Sequence, residues 1–270
     1  MRTPGELELS VVNAHADKRR RAQVSMVIVG AVIVSLIISR QRELAGIPGA
    51  FLGLAVMAGA FLLAWQAGLM KRAHAMLRLG SIRAAGLEAT TRLNSGDFAG
   101  AREAFSELLF TARPLGAFHA VHVLMFGVCR YFEGDTKEGL QLVSRALDSQ
   151  WLTVRQTREV KSAAELWRVL MLLDLGEVKE ARKHAEAGKL LPTALLAVNA
   201  YEEKWDEVIA GAKAALGDAQ FPKTGRATIA VLGRYAARKR GVSAKEFEQI
   251  LELDKPSALL VNNPALKRFL

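Results

Sequence analysis

The chain has 270 residues, a formal net charge of +10 and one cysteine, Cys129. That length holds one good-sized domain plus a membrane anchor, and a lone cysteine excludes an intramolecular disulfide framework. Alternating Val/Thr/Tyr runs are absent outside two apolar segments, and alanine and leucine dominate, which points to an all-α fold.

Residues 1–22 form a polar, basic N-terminal segment, read as a frayed terminus with a surface-lying amphipathic helix over Glu6–Ala16 as the rival. Two apolar segments follow, about residues 23–39 and 47–70, and from Val24 to Ser39 and Ile47 to Met70 neither carries Asp, Glu, Lys or Arg. A spanning helix needs roughly 20 apolar residues. The second segment meets this; the first reaches it if the flanking arginines snorkel. The short polar link Arg40–Gly46 makes the pair a two-helix transmembrane hairpin, residues 23–70. No small-x-small cleavage site follows the first segment, so it is expected to be retained.

Lys18, Arg19, Arg20 and Arg21 precede the first span, and Lys71 and Arg72 follow the second. Basic residues collect on the cytoplasmic side and touch anionic headgroups. Both termini are therefore expected to be cytoplasmic, in a plasma membrane or a bacterial inner membrane, and the positive charge reads as membrane flanking rather than nucleic-acid binding. Gly49, Gly53, Ala55 and Gly59 place small residues at close-packing spacing on the second span. They are expected to pack the hairpin, with a homo-oligomer face as the alternative.

Residues 71–254 carry an irregular internal repeat. Its clearest copies are Leu93–Leu109, Tyr131–Leu147 and Leu173–Lys189. In each, an apolar helix ends at Gly96, Gly134 or Gly176, an acidic residue follows (Asp97, Asp135, Glu177), and a second helix begins. Glycine closes the first helix and the acid suits the positive N-terminus of the next. Ala101, Gly139 and Ala181 place a small residue where two helices cross. Weaker copies run over Tyr201–Leu216, with Glu203 where glycine is expected, and Arg238–Leu253, with Glu246 at the small position.

The pattern resembles the tetratricopeptide repeat (TPR) family, on Gly96, Phe98, Ala101, Phe105 and Pro114, then on Gly134, Gly139 and Ala146, and on Gly176, Val178, Ala181 and Pro192. Spacing runs from about 27 to 42 residues against the family's 34. The resemblance implies an α-solenoid of about five TPR-like helical hairpins, each too small to bury its apolar face alone. It also implies an inner groove for a partner's peptide, at Arg83, Thr90, Leu124, Val128, Trp167 and Leu170. The carboxylate-clamping set of chaperone-binding members is absent there, which implies a more apolar ligand or a groove filled by the chain itself. Residues 255–270, with a turn signal at Asn263–Pro264, are expected to be a tail capping the last hairpin.

His119, His122 and Cys129 alone show ligand-like spacing. Offsets of three and seven share one helix face, but no fourth zinc ligand stands at obvious spacing, so they read as core residues rather than a metal site. Phosphate-binding, zinc-protease and serine-nucleophile motifs are lacking, and no catalytic residue or cofactor is expected. Arg234, Arg238, Lys239 and Arg240 read as cations at a helix C-terminus. The function expected is a membrane-anchored scaffold or adaptor that binds partner proteins. The alternative is an accessory subunit of a transport or secretion complex, packed through its spans.

Overall fold

A computed structural model describes residues 77–149, 158–187, 192–218 and 223–270, with Gly59, Leu62, Leu152 and Phe221 as isolated positions. The proposed N-terminal segment and spans lie outside the described residues, as do Lys71, Arg72, Gly49, Gly53 and Ala55; of the span residues only Gly59 and Leu62 are described, both helical. Among the described residues no helix is long and apolar enough to cross a membrane.

The described chain is all-α. Eleven α-helices and two 3-10 turns are found among the described residues, and no strand. They are α1 (Leu79–Ser95), α2 (Phe98–Thr111), α3 (Ala117–Phe132), α4 (Thr136–Asp148), α5 (Arg158–Asp174), α6 (Val178–Ala187), α7 (Pro192–Tyr201), α8 (Trp205–Gly217), α9 (Lys223–Arg240), α10 (Lys245–Leu253) and α11 (Ala258–Val261). Two compact units emerge. One takes residues 1–82 and 111–116, whose described part includes the start of α1 and the 3-10 turn Arg113–Leu115. The other takes residues 83–110 and 117–270 and holds the core discussed below.

One turn recurs five times in this second unit. At Gly96 the backbone is left-handed (φ 91°), the Gly96 N–H donates to Leu93 O (3.1 Å) and the Asp97 N–H to Arg92 O (3.0 Å). This six-to-one and five-to-two pair closes a helix and satisfies its last carbonyls. Gly134, Gly176 and Gly241 repeat it with φ of 94°, 78° and 70°. So does Glu203 (φ 60°), its N–H bonded to Ala200 O and that of Lys204 to Asn199 O. Asp97 and Asp135 then cap the following helices, accepting from the backbone N–H of Gly100 and Glu138. The glycine-acid pattern thus marks the turns where it occurs, and Glu203 adopts the same conformation without glycine's freedom.

A side chain in that left-handed conformation costs about 1 kcal/mol. Glu203 is exposed. Glu203→Gly is therefore expected to stabilise the unit by roughly 0.5–1 kcal/mol, after allowing for the freedom glycine adds to the unfolded chain. Paired urea melts check this, and an unchanged or lower midpoint would mean that packing already relaxes the backbone strain there.

From α3 to α10 each helix packs on the next, and α3, α5, α7 and α9 also pack in a row. The first helices of successive hairpins therefore lie side by side. The α3 helix is apolar nearly all round, and ten of its residues are buried, as a helix with neighbours on every side requires. On amphipathic α4 the buried set is Thr136, Gly139, Leu142, Val143, Ala146 and Leu147, one face only. At three of these turns the residue two positions after the closing one reaches the next hairpin. Phe98 stacks on Phe132 (4.4 Å between ring centres), Thr136 donates to Asp174 Oδ2 (2.7 Å), and Trp205 packs on Tyr235 (5.7 Å).

The fifth hairpin differs in register. Its second helix begins at Lys245, so buried Phe247, rather than Glu246, meets the first helix. Gly233 makes room for it: a Cβ there would lie 2.5 Å from the Phe247 ring.

Candidate functional site

Residues Ser257–Leu270 do more than cap the last hairpin. After α10 the chain returns along the first helices and is held by them from one hairpin to another. The Ala258 Cβ sits 3.4 Å from where a Cβ on Gly96 would stand, at the end of α1. On α3 the Tyr131 hydroxyl donates to Asn263 Oδ1 (2.9 Å) and accepts from the Ala265 N–H (3.0 Å). On α7 the Tyr201 hydroxyl donates to Ala265 O (2.8 Å). The Phe269 ring meets Tyr201 and Tyr235 edge-on, with centres 5.5 and 5.1 Å apart. Arg234 on α9 donates to Leu270 O (2.7 Å), and the Arg268 guanidinium lies over the Tyr201 ring.

All three tyrosines of the chain hold this tail. Leu260, Asn263, Ala265, Leu266 and Phe269 are buried, whereas Lys267 and Arg268 are exposed. Asn263, 1 % exposed, has its amide oxygen satisfied by Tyr131 and by the Leu266 N–H, as a buried amide must. Burial pushes the Tyr131 phenol well above its ordinary pKa, so it stays protonated and able to donate. The segment is recognised as a ligand would be: polar groups fix its register and an aromatic anchor fills a pocket between two hairpins.

The six residues proposed for a groove are placed differently. Leu124, Val128 and Leu170 are buried, closed to a ligand in this state. Thr90 bonds back to Gly86 O within its own helix, and exposed Arg83 lies over the Phe118 ring. Half-buried Trp167 packs edge-on against Tyr131 and Phe132, directly behind the tail's main hydrogen-bonding group. No role in holding a tail was read from the sequence for Tyr131, Tyr201 or Phe269; Arg234 was read only as a helix-terminal cation, and the one local signal was the Asn263–Pro264 turn.

His119, His122 and Cys129 lie on the buried side of α3. The His119 Nδ1 is 3.1 Å from Leu109 O. His122 packs against Gly86 and the Phe105 ring, and its Nδ1 has no hydrogen-bond partner among the described residues. Burial, with His119 adding repulsion, lowers the His122 pKa to about 4. Burial pushes the Cys129 thiol up to about 12, with Glu133 adding to it. A protonated, enclosed thiol is no nucleophile. Among the described residues no three His, Cys, Asp or Glu side chains gather as a metal ion needs.

The basic run near the end of α9 is spent on internal partners. Arg240 grips Asp206 through two hydrogen bonds (2.8 and 2.7 Å), Arg238 pairs with Glu248 (2.7 Å), and Lys239 lies over Tyr235. Arg182 likewise ties α6 to α7 through Glu202 and Asn199. Comparison with protein-family models, curated protein sequences and solved structures finds no match to this chain.

Proposed function

We propose that the chain is a membrane-anchored scaffold. Two spans, about residues 23–39 and 47–70, hold five TPR-like hairpins at the cytoplasmic face, and the row of first helices binds a segment of a partner protein. The observation that carries this is the tail itself: the row already grips a separate segment of short helical turns by tyrosine hydroxyls and an aromatic pocket. Five closures of one kind and the side-by-side first helices support the repeat reading. The net charge and the cationic flanks Lys18–Arg21 and Lys71–Arg72 support the membrane reading. No catalysis is assigned.

Two arms test this. Affinity capture of the full chain from detergent-solubilised membranes is expected to retain a stoichiometric protein after the spans are exchanged for an unrelated hairpin. Retention that follows the spans instead points to the accessory-subunit role, and no partner in either arm removes the scaffold. For the anchor, Gln41→Cys in the link is expected to react with an impermeant maleimide in intact cells, with Cys129 silent because it is enclosed. Failure to label, together with release of the chain from membranes by alkaline carbonate, would remove the anchor.

A further inference from the structure

We infer that residues Ser257–Leu270 are a displaceable latch, an internal ligand that shuts the partner groove until a segment of matching chemistry replaces it. This rests on the scaffold reading and adds what gates the groove and what opens it. Beyond Asp254, which pairs with Arg226 (3.3 Å), the latch is joined to α10 by Lys255, Pro256 and Ser257, all exposed, so this link is a tether. The contacts that set its register are few: the Tyr131 hydroxyl on Asn263 and Ala265, the Tyr201 hydroxyl on Ala265, and the ring of Phe269 between Tyr201 and Tyr235. The tail also shares a buried core with these helices through Leu260, Ala265, Leu266 and Phe269, but the helices pack on one another in a row as well, so the row is expected to stand when the tail lifts.

The replacing segment is defined by the same contacts. It presents an amide side chain and a backbone N–H two residues later to Tyr131, a carbonyl to Tyr201, and an aromatic ring four residues beyond that carbonyl. Basic residues between them are tolerated, because Lys267 and Arg268 are exposed. A tethered tail acts at an effective concentration of about millimolar, and a partner binds only the open fraction. For a free segment whose Kd for the open chain is about 10 μM, the full-length chain is therefore expected to bind about 100-fold more weakly than an opened one.

The test uses the full chain in detergent and a fluorescent synthetic peptide of residues 256–270. Phe269→Ala, which loosens the tail and leaves the groove untouched, is expected to melt cooperatively and to bind the peptide about 100-fold more tightly than the unaltered chain. Adding Tyr131→Phe to that variant is expected to weaken the peptide at least tenfold, the loss of a buried hydrogen-bond pair. A folded Phe269→Ala chain that takes up no more peptide than the unaltered one overturns the latch. A specific protease site inserted between Lys255 and Ser257 keeps the test sound if that variant does not fold. The cut chain is expected to keep its helicity and exchange its tail for the peptide, whereas a tail that never exchanges, or a fold lost on cutting, also overturns it. Loss of the latch with partner capture intact would leave the scaffold reading standing on another surface.

Discussion

Gly139→Ala is expected to lower the stability of the helical unit by about 3 kcal/mol, with Tm falling by roughly 6–12 °C. The helices α3 and α4 meet at Gly127 and Gly139. A Cβ at Gly139 would stand 2.8 Å from Gly127 O and 3.2 Å from both the N and the Cβ of Tyr131; one at Gly127 would stand 2.9 Å from Leu142 Cβ. These neighbours are backbone or first side-chain atoms, so none can swing aside and the helices must move apart. Well-packed interiors do not absorb such a shift cheaply. Because Tyr131 is among the atoms displaced, the hydrogen bonds to Asn263 and Ala265 should loosen as well, and trypsin should cleave at Lys267 and Arg268 faster than in the unaltered chain. Gly217 is the control, since it ends α8 with no atom within 4 Å of its would-be Cβ. Gly217→Ala is expected to change stability by less than about 0.5 kcal/mol. Equal effects at the two sites would show that the α3–α4 approach is not what sets stability.

The closing turns were legible because their chemistry is local. A left-handed residue needs glycine and the next helix favours an acid, so Gly96–Asp97, Gly134–Asp135 and Gly176–Glu177 announce themselves. Glu203 occupies the same turn without that signal because packing on both sides dictates the backbone: Ala200 and Val208 are buried there, and their burial outweighs the strain of one exposed residue. The register of the fifth hairpin escaped for the converse reason. Its loop is longer, which moves Phe247 into the place that repeat spacing assigns to Glu246.

The seat of the tail was harder to see. Projecting repeat positions onto the chain picks apolar residues such as Leu124, Val128 and Leu170, and apolar residues on first helices are consumed by stacking one hairpin on the next. What holds the tail are the hydroxyls of Tyr131 and Tyr201, both near helix ends, and the rings of Tyr201 and Tyr235. Their partners stand far along the chain, Asn263 lying 132 residues from Tyr131. No local pattern encodes a pairing of that range. The likeness between a tail and a ligand lies in tertiary contacts alone.

Acid should weaken the first two hairpins before it reaches the carboxylates. His122 sits neutral between α1, α2 and α3, against Gly86 and Phe105, with its pKa held down from 6.5 to about 4 by burial and by His119. The unfolded chain takes up its proton near pH 6.5, and the folded chain resists until about pH 4. The unfolded state thus binds more protons throughout that window, so stability falls as pH drops through it and levels off below. The loss is about 3 kcal/mol by pH 4. Glu202 acts in a separate range: Arg182 lowers its pKa to about 2, so its contribution is present above the ordinary 4.5 and lost only as pH falls toward 2. His184, lowered by burial and by Arg168, adds a smaller slope of the same sign as His122. His122→Leu removes the buried ionisable group and, with no hydrogen bond from Nδ1 to lose, is expected to be within about 1 kcal/mol of the unaltered chain at neutral pH. Between pH 6.5 and 4 its urea midpoint should decline far less steeply. If both chains lose midpoint in parallel over that range, the proton that unfolds the hairpins goes elsewhere.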